Sequence, residues 1–218
     1  MLLNTDQRTK LDRSDDGLFY DMPRFVTHVD DHFLQRLTDL YRDRLAPHTR
    51  IFDMMSSWVS HLPEELTFEH VEGHGMNEKE LARNPALDHY FVQNLNLNHT
   101  LPLPDESFDA VLNTVSVQYL QYPEAIFAEI HRILKPGGIC IVSFSNRMFY
   151  QKAIQAWRDA PEYARVELVK QYIHSVDGFS TPEVIAERPN VPTFLQMLGV
   201  PGGDPFYAVI TNRVPASA

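Results

Sequence analysis

The sequence predicts an α/β fold with a central, mostly parallel sheet of about seven strands and helices on both faces. The observations behind this are a short apolar strand at 108–112, a helical pattern at 124–134 and an almost wholly apolar run at 139–144. Continuous apolar runs are typical of strands buried on both faces, as in parallel sheets. A strand, a helix and a second strand in succession form the repeating unit of α/β proteins.

The predicted helix at 124–134 carries a single apolar stripe along its length. Apolar residues spaced at i, i+1, i+4, i+7 and i+8 fall on one side of a helix, and here they are Ile126, Phe127, Ile130, Ile133 and Leu134. The following Lys135-Pro136-Gly137-Gly138 should end the helix, because proline cannot extend it and glycine accepts a positive φ.

The other elements follow from the same signals. Residues 1–18 are polar and lack periodicity, so we expect a frayed end. A helix should begin near Asp30 or Asp31, where a carboxylate can accept free backbone N–H groups, and Pro47 should end it. Further strands are expected at 51–55, 66–71, 90–93, 184–188 and 206–211, helices at 78–83, 149–158 and 162–175, and a short helix or lid at 190–203.

Composition indicates an ordinary globular chain of one domain. The 218 residues are 44% hydrophobic and 22% charged, and a chain of this size buries roughly 70% of its unfolded surface. A net charge of −10 argues against nucleic-acid or anionic-membrane partners, which need a basic surface. With Cys140 as the single cysteine, no apolar run of ~18 residues and no signal-peptide pattern, we expect a cytoplasmic protein. Its oligomeric state cannot be read from the sequence.

The stretch 101–146 also resembles a known family. LPLPDESFDAV, a helix ending in RILKPGG and the hydrophobic strand after it are similar to class I S-adenosylmethionine (SAM) dependent methyltransferases, most of all the type-11 branch. The resemblance implies a Rossmann-like fold, with a helical cap at 1–48, the core at 49–146 and closing elements at 147–218. It also implies SAM as methyl donor and a small-molecule acceptor.

The family's glycine-rich loop is degenerate in this sequence. After its first strand the family has an Asp-x-Gly-x-Gly-x-Gly loop, in which glycines allow a tight turn beside the cofactor. Asp53 keeps the acidic position, whereas Met55, Ser57 and Val59 replace the three glycines. A non-glycine residue in left-handed geometry costs about 1–2 kcal/mol, so we expect this loop to take another path.

The resemblance implies further cofactor contacts at the ends of successive strands. Met54, Met55 and Trp58 could line an adenosyl pocket or could belong to the core, and the hydroxyls of Ser56, Ser57 and Ser60 could replace glycine N–H groups. Gly75 stands where the family has a ribose-binding acid, so Asn77 either caps a helix or contacts the ribose. The positions that follow the third and fourth strands are Asn94, Leu95 and Asn113.

Several other residues of the sequence allow more than one interpretation. Tyr20 and Arg24 either cover a ligand from the N-terminal segment or pack locally. His28 and His32 are spaced as metal ligands are, but no third ligand is near, so no metal site is expected. His70 and His74 are interpreted as surface or edge residues. No nucleophile elbow or dinucleotide fingerprint occurs.

Two hypotheses for the function remain. One is a methyltransferase with no assigned catalytic base, and the other is a non-catalytic binding or scaffold protein that has lost the SAM site.

Overall fold

A computed structural model describes residues 2–188 and 203–215. Seven strands form one sheet in the order β3-β2-β1-β4-β5-β7-β6. The first five strands are parallel, and β7 runs antiparallel to both of its neighbours. The predicted α/β class and the mostly parallel sheet are confirmed. The strands are β1 (Arg50–Met54), β2 (His70–Gly75), β3 (His89–Val92), β4 (Phe108–Thr114), β5 (Leu134–Phe144), β6 (Glu183–Glu187) and β7 (Phe206–Asn212).

The helices lie before, between and after these strands. They are α1 (Asp16–Tyr20), α2 (Asp31–Arg44), α3 (Glu78–Leu81), α4 (Pro123–Ile133), α5 (Gln155–Arg158) and α6 (Glu162–His174), with a 3₁₀ turn at Val117–Tyr119. Asp30 caps α2 by accepting the Phe33 N–H at 2.9 Å, as expected. The helix predicted at 149–158 is reduced to the four residues of α5.

Two hydrophobic cores cover the two faces of the sheet. Alternate residues of a strand point to opposite faces, so in β1 Ile51 packs into the core under α2 while Phe52 packs into the core under α4 and α6. No helix in the described part of the chain is long and apolar enough to cross a bilayer.

Two predictions about the first seventy residues are wrong. The second strand runs from His70 to Gly75 rather than over 66–71, because its polar residues are buried by parallel neighbours on both sides. The N-terminal segment is not frayed: Leu3 is buried, and Arg8 pairs with Glu124 of α4. The lid predicted at 190–203 falls almost entirely outside the described residues.

Candidate functional site at the carboxyl edge of the sheet

A cavity of about 300 Å³ lies where the carboxyl ends of β1, β2, β3 and β4 meet. In open parallel sheets this edge is where ligands bind. Small-molecule sites have volumes from about 300 Å³ upward, so the cavity is at the small end of that range. The segment from Tyr20 to Val29 and residues 147–149 complete its walls.

Most of the residues expected to form a site meet in this cavity. Those that line it are Tyr20, Arg24, Asp53, Ser56, Ser57, Asn77, Asn94 and Leu95. Met54 and Asn113 are not among the lining residues. Met54 is 1% exposed and Asn113 is fully buried, with its Nδ2 donating to the Met54 carbonyl at 3.5 Å. Both therefore support the wall from behind.

Asp53 is a buried carboxylate at the tip of β1. It accepts the hydroxyl of Ser56 at 2.5 Å, and burial raises its pKa to about 6 although hydrogen bonds from Ser56 and Ser60 lower it. No ion-pair partner for Asp53 occurs among the residues that the structure describes. Its side chain therefore holds the loop through hydroxyl groups, and its charge would be stabilised by a donor or a cation placed in the cavity.

The serine hydroxyls stabilise the loop after β1 from within. Ser57 donates to Glu80 at 2.7 Å, and the buried amide of Asn84 donates to Ser60 Oγ at 2.8 Å and to the Ser57 carbonyl at 3.0 Å. Together with the Ser56–Asp53 bond, these contacts use each hydroxyl inside the protein. The hydroxyls therefore fix the backbone that lines the cavity.

The loop was expected to avoid the left-handed geometry of the family's glycines, and at Met55 this expectation is wrong. Met55 has φ +58°, the left-handed geometry that glycine favours, whereas Ser57 and Val59 do not have positive φ. The next strand tip has a second strained residue, since Val115 after β4 has φ +50°. Positive φ is rare for a β-branched residue, and backbone strain concentrates at functional sites.

His74 is buried beneath Met55, which corrects its interpretation as a surface or edge residue. It is 1% exposed, and its Nδ1 accepts the Met55 N–H at 3.1 Å. Its Nε2 must then carry the proton, which it donates to the Gln93 carbonyl at 2.9 Å. Burial lowers the pKa of His74 to about 4, so the ring is neutral at physiological pH and joins the tips of β1, β2 and β3.

Gly75 explains why the expected acid is missing at the end of β2. A Cβ at this position would lie 2.7 Å from the Ser56 carbonyl oxygen, closer than real Cβ contacts. The loop after β1 therefore occupies the space that an acidic side chain would need. Sequence reasoning could have found this close approach, because Gly73 and Gly75 flank His74 within one strand.

The N-terminal segment is held over the cavity by α3. Asn77 caps α3, accepting the N–H groups of Lys79 and Glu80, and its amide nitrogen donates to the carbonyls of Tyr20 at 2.7 Å and Asp21 at 3.0 Å. Glu80 accepts the Arg24 N–H at 2.6 Å. The side chains of Asn77 and Glu80 therefore anchor the segment, a role of Glu80 that the sequence analysis missed.

Arg24 lies in an aromatic environment at the cavity wall. Its guanidinium carbon is 4.6 Å from the ring centroid of Phe19 and 5.3 Å from that of Phe149. It donates to the Phe19 carbonyl at 2.9 Å. Tyr20, against the same group, has a pKa raised well above its usual value, chiefly by burial. Tyr20 and Arg24 both pack locally and line the cavity, so local packing is compatible with covering a ligand.

A buried charge cluster borders the cavity beside the tip of β4. Lys10 pairs with Asp16 at 2.6 Å, and the fully buried Lys152 lies 3.0 Å from Asp12 and 3.3 Å from Asp16. Ser116 Oγ is buried without a hydrogen-bond partner in the described structure, whereas Asp16 Oδ1 faces the Lys152 ammonium, and both Asp16 and Ser116 line the cavity. This end of the cavity can therefore accept a ligand's N–H or O–H group.

Comparison with known proteins shows that part of the chain is similar to a methyltransferase family. Residues 67–142 match the model of a methyltransferase domain family. The resemblance to the SAM-dependent methyltransferases is confirmed. The matched segment contains β2 to β4, α4 and most of β5, so it covers much of the cavity's framework but not the loop after β1.

Curated relatives align over part of the chain. A probable S-adenosylmethionine-dependent methyltransferase of Mycolicibacterium smegmatis is 36% identical over 80 residues, which are 37% of this chain and 28% of that protein. The biotin biosynthesis bifunctional protein BioHC of Teredinibacter turnerae is 32% identical over 95 residues, 43% of this chain and 17% of that protein. The chain thus spans less than a third of either relative's length.

A solved structure extends the likeness to the whole fold. The structure of a SAM-dependent methyltransferase from Archaeoglobus fulgidus superimposes with a TM-score of 0.58 over 84% of this chain and 94% of that chain, at 11% identity. Likeness at this identity establishes the Rossmann-like fold and leaves the reaction to be argued from the site.

Proposed function

We propose that this protein binds SAM at the carboxyl edge of its sheet and transfers the methyl group to a small-molecule acceptor. The observation that carries the proposal is the cavity itself, which is open at the tips of β1 to β4 although Met55, Ser57 and Val59 stand where the family has glycines. The proposal draws further support from the methyltransferase-family match over 67–142.

The polar groups of the cavity fit the parts of SAM. Asp53 supplies a buried acceptor for the ligand's cationic or N–H groups. Asn94 offers an amide nitrogen, since within residues 2–188 and 203–215 only its oxygen has a side-chain hydrogen bond, from the Asn96 N–H at 2.9 Å. Leu95 gives the apolar surface that an adenine ring needs. Glu80, half-buried and lining the cavity, is the acid available for ribose hydroxyls in place of Gly75.

The acceptor would occupy the end of the cavity nearest Asp16 and Ser116. SAM, when bound, supplies an activated methyl group on a sulfonium, and the acceptor's lone pair forms the new bond as the sulfur–carbon bond breaks. The chain's contribution is the alignment of donor and acceptor within the cavity. Ser116 Oγ, which has no hydrogen-bond partner in the described structure, can hold the acceptor by its N–H or O–H group, while Asp16 keeps its ion pairs with Lys10 and Lys152.

One group of contacts favours the alternative of a non-catalytic binding or scaffold protein. The amide of Asn77 is fully used by its cap and by two carbonyls of the N-terminal segment. Glu80 also has internal partners, and Gly75 provides no side chain. On this alternative the N-terminal segment permanently covers a vestigial cofactor site.

Ligand-dependent melting separates the two functions. We expect SAM and S-adenosylhomocysteine to raise the melting temperature, since a ligand at 100 times its dissociation constant stabilises by about 2.7 kcal/mol. Asp53→Asn should abolish most of this rise, because the amide cannot compensate a cationic ligand.

The matched control is Asp109→Asn, which changes a carboxylate at the opposite edge of the sheet and should keep the full ligand-induced rise. No rise with either ligand at millimolar concentration would reject the enzyme and leave the scaffold function. A rise that Asp53→Asn leaves intact would place the ligand elsewhere.

A further inference from the structure

The left-handed backbone at Met55 needs a specific support. A residue with a Cβ in this region is disfavoured relative to glycine, yet Met55 adopts φ +58° and lines the cavity. The two peptide N–H groups at this turn both bond to one residue. The Met55 N–H donates to the ring of His74 at 3.1 Å, and the Ser56 N–H donates to the His74 carbonyl at 2.7 Å.

His74 is itself fixed from the other side. Its Nε2 donates to the Gln93 carbonyl, and its ring packs against Phe91 and Phe52, with centroid distances of 5.1 and 6.4 Å. A ring with both nitrogens bonded and two aromatic neighbours has one orientation. It therefore presents Nδ1 to the turn as a rigid acceptor.

Gly75 also allows this turn to form. In the turn that His74 supports, the Ser56 carbonyl oxygen lies against β2 at Gly75, where a Cβ would be too close to it. The glycine that a tight turn requires thus lies on the neighbouring strand and not in the loop.

We propose that His74 is the positioning residue of the site, holding the glycine-less loop after β1 in the conformation that keeps the cavity open. It acts through the Met55 backbone and does not touch the ligand's reacting atoms. The inference deepens the proposed function and rests on it where ligand binding is the readout.

Rescue by glycine is the decisive test. In the full-length protein, His74→Ala should weaken S-adenosylhomocysteine binding about tenfold, measured by isothermal titration calorimetry. Adding Met55→Gly to His74→Ala should restore most of that affinity, because glycine adopts positive φ without support. Glycine cannot fill the space left by the imidazole, so recovery would not arise from repaired packing.

Three further variants keep the result interpretable. His74→Asn retains an acceptor near the position of Nδ1 and should bind more tightly than His74→Ala. His74→Phe keeps an aromatic ring without an acceptor and replaces His74→Ala if that variant does not fold. His70→Asn alters a histidine of the same strand that does not line the cavity, and it should bind as the unaltered protein does. Unchanged affinity in His74→Ala, or no recovery with Met55→Gly, would overturn the proposal.

Failure of the proposed function gives a different pattern. If the unaltered protein binds neither SAM nor S-adenosylhomocysteine, the methyltransferase function fails while the support of Met55 by His74 remains testable by urea unfolding. The proposal then expects Met55→Gly to raise the unfolding midpoint more in His74→Ala than in the unaltered protein. Equal changes in both backgrounds would refute it.

Discussion

The two edges of the sheet use the same kinds of residue in opposite ways. At the amino edge, Asp109 pairs with Lys135 at 2.8 Å and accepts the Arg50 N–H at 2.9 Å, so its charge is compensated within the protein. At the carboxyl edge, the partners of Asp53 in the described part of the chain are hydroxyl groups, and its pKa is raised. The difference is one of charge compensation, and it supports the proposal that a ligand binds at the carboxyl edge.

The largest effect is expected at the amino edge from Arg132→Ala. Arg132 binds Glu129 and Asp105 at 2.7 and 2.6 Å and donates to the carbonyls of Leu101 and Leu103. Losing these charged hydrogen bonds should reduce the free energy of unfolding by about 2–3 kcal/mol, measured by urea denaturation. Ligand-induced stabilisation of the folded variant should persist, and its loss would contradict the separation of the two edges.

Two glycines offer a matched pair across the sheet. Gly75→Ala forces a Cβ against the Ser56 carbonyl at the carboxyl edge, whereas Gly137→Ala at the amino edge meets no atom within 4 Å and is strained only by its φ of +83°. Gly137→Ala should lower the free energy of unfolding by about 1–2 kcal/mol, and Gly75→Ala should lower it by about 1–3 kcal/mol because the added Cβ overpacks a buried site. Calorimetry should show weaker S-adenosylhomocysteine binding for Gly75→Ala and unchanged binding for Gly137→Ala. An equal loss of affinity in both variants would contradict the difference between the two edges.

The pH dependence of stability should distinguish two groups of the carboxyl edge. The pKa of His74 falls from 6.5 to about 4, so its contribution is complete above pH 6.5 and is lost as the pH drops toward 4. The pKa of Asp53 rises from 3.8 to about 6, so its contribution is complete below pH 3.8 and is lost as the pH rises through 6. The two contributions oppose each other in the unaltered protein.

Variants should expose each contribution separately in urea unfolding between pH 4 and 6.5. Asp53→Asn should lose stability on acidification more steeply than the unaltered protein, and His74→Asn less steeply. Parallel profiles for all three proteins would show that neither group titrates as its burial implies.

The smallest effect is expected from Lys135→Ala. The ammonium of Lys135 and the carboxylate of Asp109 are both more than a quarter exposed, and exposed ion pairs contribute about 0–1 kcal/mol. Thermal unfolding at low and high salt should differ little from that of the unaltered protein. A large loss would mean that Asp109 depends on Lys135 far more than its exposure indicates.

The sequence predicted the sheet best where its signals are local. The apolar stripe of α4 and the apolar run of β5 depend on neighbours in the chain. The helix is found close to its expected position, and the apolar run lies within β5, although that strand begins earlier than expected, at Leu134. The bounds of β2 were wrong because Glu72 and His74 appear polar in sequence, whereas strands on either side bury them.

The parts that could not be predicted depend on distant partners. The N-terminal segment is ordered because Arg8 meets Glu124 and Lys10 joins a cluster with Lys152, contacts that only the folded chain creates. The strand tips were predicted correctly as the place of the site. The left-handed turn at Met55 was not, because its support by His74 comes from another strand.

The hydrogen bonds that Asn77 and Glu80 make to the N-terminal segment all involve main-chain atoms of that segment. Asn77 holds the carbonyls of Tyr20 and Asp21, and Glu80 holds the N–H of Arg24. Substitutions in that segment can therefore alter which molecules the cavity admits without loosening the anchor.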